Sequence, residues 1–494
     1  MKKYILSIDQ GTTGTTSLLI DADTFQLVDK VNMEFPQIFP KPGWVEHNLN
    51  DIWNTVQKST LSVLGKTNIN PNQIKSIGIT NQRETTCAFD KQGNPLANAI
   101  VWQDRRTSTY CDSVRSKYSD LQKVTGLPLD PYFSGTKMKW LLENNDSVQD
   151  ASTQNNLNLS TIDSFLLFKM TSGNSFMTEP SNASRTLLMD LDTCKWNQDL
   201  LDFFNVKKDF LPEIKESFGH FGLTKGLRFL PDGIPITCLL GDQQAALFGQ
   251  AGHKPGDLKC TYGTGAFILL NTGATKTYSS NGLLTTVAYM MDGKPCYALE
   301  GSSYIAGAAV QWLRDNLQII NDASEVQALA EEVKSLEEME HLMFMPFFTG
   351  IGSPYWNAEA KGAILGITRD TKKSHIARAC LDGIALSIND SIQAIVADSP
   401  NPVDQIRVDG GACQNNLLMQ IQANFSKKQI IRPQVIETTA YGVALGSVVG
   451  LGEIPLSKVD ELWKEDCQFD PINDNYYQMK SKSWSSLIKR LFTT

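Results

Sequence analysis

One pattern occurs twice in the chain, and it constrains the fold more than any other feature. Tyr4-Ile5-Leu6 and Ile8 run into Asp9-Gln10-Gly11-Thr12-Thr13-Gly14, and a second apolar run, Ser17-Leu18-Leu19-Ile20, ends at Asp21. Roughly 250 residues later, Lys259-Cys260-Thr261-Tyr262 leads into Gly263-Thr264-Gly265, and Phe267-Ile268-Leu269-Leu270 follows. β-rich runs around a Gly/Thr cluster read as hairpins. Two of them at that separation exclude a short-period solenoid and predict a duplicated architecture, with one hairpin in each half.

The boundary between the halves falls at Gly249-Gln250-Ala251-Gly252-His253-Lys254-Pro255-Gly256, where Gly and Pro concentrate between patterned segments. This predicts two domains, residues 1–250 and 251–494, packed with a cleft between them. A further strand is expected at Ile74–Thr80. Ile376, Cys380, Ile384, Ile388, Ile392 and Ile395 mark one face of a helix by their spacings of three or four. Pro346 to Pro354 reads as a Gly/Pro/aromatic loop, and the last 40 or so residues as polar helix plus tail. The sum is an α/β fold with mixed sheets.

Net charge is −8, which disfavours broad binding to nucleic acid or anionic lipid, since both need basic stripes. The apolar run after Lys3 stops at Asp9, too short for a secretory signal. No stretch is expected to reach the roughly 18 apolar residues of a membrane span. The chain reads as cytoplasmic, with no membrane insertion. Its nine cysteines are an odd number and form no C-x-x-C, so a disulfide framework and a zinc site are both excluded from the expectation.

A Walker A loop is absent. Gly65-Lys66-Thr67 has Thr60 where the first glycine belongs, and Gly293-Lys294 has Ala288 and Pro295 at the wrong places. The positive signals are of another kind. Each Gly/Thr turn can be a plain hairpin or a set of N–H and hydroxyl donors for phosphate. An Asp at a strand end, Asp9, can also hold Mg²⁺. Val408-Asp409-Gly410-Gly411-Ala412-Cys413-Gln414-Asn415-Asn416 combines a strand end, a glycine pair that admits a flat ring, and an Asn that serves as helix cap or ligand. In Gly241-Asp242-Gln243-Gln244, Asp242 stands at a natural helix N-cap and is equally placed to act as a general base on a hydroxyl. Thr80-Asn81-Gln82-Arg83-Glu84-Thr85 follows a strand, so Arg83 and Glu84 form either a surface ion pair or a donor–acceptor pair for adjacent hydroxyls.

Taken in chain order, the strings Phe39–His47, Ile79–Thr85, Asp130–Lys137, Gly241–Gly249, Tyr262–Phe267 and Arg407–Ala412 resemble the glycerol kinases of the FGGY carbohydrate kinase family over roughly residues 4–450. The resemblance implies two actin-like, ribonuclease H-like ATPase domains with a central cleft, and transfer of phosphate from ATP to glycerol to give sn-glycerol 3-phosphate. It implies Arg83, Glu84, Tyr132, Asp242 and Gln243 as glycerol contacts, with Asp242 the catalytic base and Trp102 and Phe267 the aromatic walls. Thr12, Thr13, Gly14 and Thr264 correspond to phosphate-turn contacts, Gly307, Gln311, Gly411 and Asn415 to nucleotide contacts, and Asp9 to the carboxylate near Mg²⁺. ATP, Mg²⁺ and glycerol are the implied ligands, and a homo-dimer or tetramer the implied assembly. The chain departs from the family at Gly14-Thr15-Thr16, where many relatives carry an Arg that reaches the nucleotide phosphates. It departs again at Leu227–Gly233, which matches no fructose 1,6-bisphosphate loop and has Arg228 in place of a phosphorylatable His.

Overall fold

The computed structural model describes residues 3–118 and 120–492. Each half holds one mixed sheet. The first comprises β1 (Tyr4–Gln10), β2 (Gly14–Asp21), β3 (Leu27–Glu34), β4 (Ile74–Asn81), β5 (Phe218–Leu223) and β6 (Pro235–Gly241), in the order β5-β6-β4-β1-β2-β3. The second comprises β7 (Leu258–Tyr262), β8 (Ala266–Gly273), β9 (Leu284–Met291), β10 (Lys294–Ser303), β11 (Gln405–Asp409), β12 (Gln429–Pro433) and β13 (Glu465–Phe469), in the order β9-β10-β8-β7-β11-β12-β13. In both, an antiparallel hairpin is extended by two parallel strands: β2/β1/β4/β6 in the first and β8/β7/β11/β12 in the second. The duplication expected from the two hairpins is present.

Register decides where the chemistry falls. β1 and β4 pair Asp9 with Thr80 and Gln10 with Asn81, and β6 pairs Gly241 with Asn81. The carboxyl ends of three parallel strands therefore align, so that the Gly/Thr turn, Arg83-Glu84 and Asp242 open on one edge, where ligands of α/β sheets bind. In the second half, Thr261 pairs with Asp409, which brings the Gly263–Gly265 turn beside Gly410-Gly411.

The helices that position the site are α1 (Asp242–Gly249), α2 (Gly307–Asp315), α3 (Lys373–Asp398), α4 (Asn416–Ser426), α5 (Thr438–Gly450) and α6 (Asn475–Leu491). α5 comes from the second half but lies on the first sheet. Val443, Ala444, Leu445 and Val448 join Ile5, Leu18, Cys238 and Leu240 in one buried cluster. Ser76 and Ser447 hydroxyls meet at 2.9 Å, and Thr237 donates to the Ser447 carbonyl at 2.7 Å. The approach needs glycine: a Cβ on Gly442 would stand 2.1 Å from the Ala245 carbonyl oxygen, and one on Gly450 would stand 2.0 Å from that of Thr237. The two halves of the chain thus share a core.

Two sequence expectations are corrected here. α3 is long and apolar enough to cross a membrane, contrary to the expectation that no stretch would be. Most of its apolar window is buried in the second half's core: it is surrounded by protein on nearly every side, and not only along the isoleucine face. The C-terminal segment is more than a polar helix and tail. β13 completes the second sheet, and α6 buries Tyr476, Tyr477, Trp484 and Ile488. Edge strands and amphipathic helices present alternating polar residues to solvent, which masks their inner face in a composition reading.

Candidate active site

The first turn is held from behind by amides and an imidazole. Gly11 N–H donates to the Gly14 carbonyl at 2.8 Å. Gln37 donates to the Thr12 carbonyl at 3.1 Å, and Gln82 donates to the Gly11 carbonyl at 3.2 Å and to Gln10 Oε1 at 3.0 Å. His47 bridges the two supports, with Nε2 2.7 Å from Gln37 Oε1 and Nδ1 3.3 Å from Gln82 Nε2. The turn therefore leaves its outward groups for a ligand: Thr13 is exposed and Thr12 half-buried. Gly14 is packed against β3, where a Cβ would meet the Met33 carbonyl at 2.8 Å. At Thr16, where the resemblance led to the expectation of an Arg, the hydroxyl donates to Asn32 Oδ1 at 3.2 Å.

Burial pushes the His47 imidazole down to about 4, so it is neutral in the fold at pH 7. A histidine that protonates less readily folded than unfolded stabilises the fold above its unfolded value near 6.5, and that contribution is lost as pH falls towards 4. We expect urea unfolding to show about 3 kcal/mol of stability lost from this group between pH 7 and 4. The acid loss should be smaller in His47→Gln; an unchanged pH dependence in that variant would assign the effect to other groups.

Asp242 opens α1, but as its first helical residue. Gly241 takes the cap position, so the N-cap reading is corrected. The reason is that the β6 backbone stays extended through Gly241, and a Cβ there would collide with Arg83 Cδ at 2.7 Å. Asp242 Oδ1 accepts from its neighbour's backbone, Gln243 N–H, at 2.7 Å and lies 3.1 Å from Arg83 Nε. Oδ2 accepts no hydrogen bond among the described residues, and about a quarter of the side chain (27%) is exposed. One oxygen is fixed and the other is free to receive a proton.

Arg83 and Glu84 are buried, which excludes the surface ion pair. Arg83 forms a bidentate pair with Glu300 of β10, at 2.5 and 2.8 Å, and donates to Gln244 Oε1 at 3.2 Å. Glu84 sits at a left-handed φ of 58°, uncommon for a residue with a side chain, and its carboxylate meets Arg185 Nε at 2.5 Å. Burial raises the Glu84 carboxyl above its ordinary range against the opposing pull of Arg185 and Arg83. Gln243 is buried and accepts from Lys259 Nζ at 2.5 Å, which leaves its amide N–H₂ uncommitted.

Three rings enclose the space beside these groups. Trp102 stands edge-on to Tyr132 at 5.7 Å and to Phe267 at 6.2 Å, so the walls come from both halves. Trp102 Nε1 also donates to Thr12 Oγ1 at 2.9 Å, tying the wall to the first turn. Tyr132 is buried, with Asp130 Oδ1 accepting from its backbone N–H at 2.8 Å and its ring 5.5 Å from the Arg185 guanidinium.

Across the cleft, Thr264, Gly307, Gln311, Gly411 and Asn415 line one cavity of about 450 Å³ with Val310, Val326, Leu381 and Leu418. Its apolar side chains, together with the glycine backbone, give a lining suited to a flat ring. The second turn closes it: Gly263 N–H donates to the Gly265 carbonyl, and the Gly263 carbonyl accepts from Gly307 N–H, both at 2.9 Å. Asn415 caps α4, its Oδ1 accepting from Leu418 N–H at 2.9 Å, so its amide N–H₂ can still serve a ligand.

Asp9 lies half-buried at the end of β1. Burial, together with the nearby charges of Asp242 and Glu437, pushes its carboxyl up to about 8. A divalent cation would relieve that repulsion, so the donor set fits one. Among the described residues no cluster of three or more His, Cys, Asp or Glu side chains can hold a metal alone.

The geometry thus gathers the implied polyol contacts around Asp242 and the implied nucleotide contacts in the opposing cavity. Sequence reasoning missed Glu300, Arg185 and Lys259, which hold Arg83, Glu84 and Gln243. A signal existed for two of them: Glu300 and Lys259 are charged residues inside otherwise buried strands, where a charge persists only if paired.

Models of the FGGY family of carbohydrate kinases match the chain, the N-terminal domain over residues 4–249 and the C-terminal domain over 258–451. A glycerol kinase of Desulforamulus reducens is 47% identical over 476 residues, covering 95% of this chain and 94% of its own length. One from Bacillus subtilis is 44% identical over 495 residues, covering 99% of each. Among solved structures, Plasmodium falciparum glycerol kinase with ADP superposes with a TM-score of 0.89 at 35% identity, covering 99% of this chain and 98% of that one. A gluconate kinase from Lactobacillus acidophilus, at 22% identity and a TM-score of 0.87 over 99% and 98%, shares the fold.

Proposed function

The chain belongs to the FGGY family of carbohydrate kinases, and from that premise we infer that its cleft phosphorylates glycerol with ATP, Asp242 acting as the base. The choice of glycerol is supported by identity of about 45% to glycerol kinases over nearly the whole chain. The role of Asp242 is supported by one observation above all: Oδ1 is held by Gln243 N–H and Arg83, while Oδ2 accepts no hydrogen bond among the described residues and about a quarter of the side chain is exposed.

Glycerol offers three hydroxyls and little apolar surface, so it must be chosen by paired donors and acceptors. Arg83, Glu84, Tyr132 and the free amide of Gln243 supply them, and Trp102 and Phe267 flank the carbon chain. As the hydroxyl attacks phosphorus, Asp242 Oδ2 takes its proton. The adenine of ATP occupies the slot between Val310 and Leu418, with Gly307, Gln311, Gly411 and Asn415 at its edges. Thr12, Thr13, Gly14 and Thr264 present the two turns to the phosphates from opposite sides. Asp9 would hold Mg²⁺ directly or through water, with the nucleotide and water completing its shell; the ion supplies charge neutralisation at the phosphates when bound. The ring walls come from both halves, so drawing the halves together removes water that would otherwise accept phosphate.

A substrate panel of glycerol, pentoses and hexoses with ATP, followed by coupled detection of ADP, tests this. Glycerol is expected to give the highest kcat/KM. A clear preference for a pentose or hexose would overturn the assignment.

A further inference from the structure

We propose that Glu300 is a positioning residue for the phosphoryl-acceptor site: from the second half's sheet it orients both the base and the substrate-facing carboxylate through two arginines. The inference rests on the acceptor site proposed above. Its physical basis is a continuous string of charges. Asp242 meets Arg83 at 3.1 Å, Arg83 meets Glu300 through two bonds of 2.5 and 2.8 Å, Glu300 meets Arg185 at 3.2 Å, and Arg185 meets Glu84 at 2.5 Å. Glu300 is the middle member, and it touches both cations.

All but the Asp242 end of this string is buried. Side-chain exposure is 2% for Arg83, 1% for Glu300, 0% for Arg185 and 2% for Glu84, against 27% for Asp242. At that depth a guanidinium keeps its orientation only where its partners dictate it, because an unpaired charge cannot turn to water. The bidentate pair locks the plane of Arg83, and with it the direction in which Nε meets Asp242. The same carboxylate lies 3.2 Å from Arg185 Nη2, which forms no hydrogen bond among the described residues, so its hold on Arg185 is by charge, while Arg185 Nε donates to Glu84. Burial opposes the charged form of Glu300, but Arg185 and Arg83 outweigh it, so the carboxyl is held below its ordinary range and stays ionised.

The string also joins the halves. Arg83, Glu84 and Arg185 belong to the first, whereas Glu300 lies on β10, paired with β8 and β9 of the second. Formation of the acceptor site is therefore coupled to the placement of the second sheet, the one that also carries Phe267 and the nucleotide slot. No contact between Glu300 and substrate is needed for this role.

The test uses the full-length chain and the variants Glu300→Gln and Glu300→Asp, with ATP binding read by fluorescence and steady-state kinetics by ADP release. First, the wild-type chain must turn over glycerol; failure there concerns the acceptor reading and not Glu300. Both variants are expected to bind ATP within about twofold of wild type, because the slot does not include this string. Both should raise the KM for glycerol by about 10- to 100-fold and lower kcat, while the KM for ATP stays within about twofold. Glu300→Asp, which keeps the charge but shortens the reach, should recover part of the loss seen in Glu300→Gln. Three results would overturn the proposal: an unchanged glycerol KM in a variant that binds ATP, equal rises in the KM for both substrates, or failure of both variants to bind ATP. The last would make Glu300 a folding element.

Discussion

Asp242→Asn is expected to lower kcat for glycerol by about 10²- to 10⁴-fold, the range for loss of a positioned general base. The exchange is nearly isosteric. Asn can present its carbonyl oxygen where Oδ1 now accepts from Gln243 N–H, so the start of α1 is preserved. What is lost is the oxygen that accepts no hydrogen bond among the described residues, and the negative charge that makes it basic. Arg83 keeps its bidentate pair with Glu300, so no buried cation is stranded. ATP binding should be retained, since every residue that lines the slot, from Tyr262 to Leu418, lies outside α1 and in the second half. Steady-state ADP release gives kcat, and nucleotide binding reports the fold. Near-normal turnover in a variant that binds ATP would remove Asp242 from the role of base.

Gly442→Val is expected to destabilise the fold by about 3 kcal/mol or more, the scale of overpacking in a core that cannot relax. A Cβ at position 442 would stand 2.1 Å from the Ala245 carbonyl oxygen, 2.7 Å from Gly249 N and 3.0 Å from Gly249 Cα. All three are backbone atoms of α1, so no side chain can swing away, and one helix must move. α1 also begins with Asp242, so the displacement reaches the proposed base and should lower kcat together with stability. Urea denaturation supplies the measurement. Gly65→Ala serves as the control: it lies in the helix Leu49–Thr67, a Cβ there meets nothing within 4 Å, and it should gain about 0.5–1 kcal/mol. A Gly442→Val chain as stable as wild type would mean that α5 does not sit against α1 at this distance.

Much of the site was legible before the fold. Each Gly/Thr turn appears as a hairpin, and β4 runs from Ile74 to Asn81, one residue past the expected end. Residues next to a strand end inherit the edge on which that strand ends, so Asp9, Arg83, Glu84 and Asp242 could be assembled from local patterns and a parallel register. Glu300, Arg185 and Lys259 could not be assigned this way. Each acts through a partner on a different element: Lys259 reaches back 16 residues to Gln243, Arg185 meets Glu84 101 residues away, and Glu300 meets Arg83 217 residues away. Local spacing carries no information about such contacts.

The sequence by itself determined the repeated strand–turn–strand unit and the missing Walker loop, because turn chemistry and strand periodicity are local; the residues of the proposed acceptor site came from the family resemblance carried by its strings. Tertiary structure alone decided that α5 crosses to the other half's sheet, that Asp242 is the first helical residue and not the cap, and that Arg83 and Glu84 lie buried with Glu300 and Arg185. The physical reason is the same in each case. Close glycine contacts and buried ion pairs exist only when two distant segments meet, and their energies depend on the distance and burial reached there.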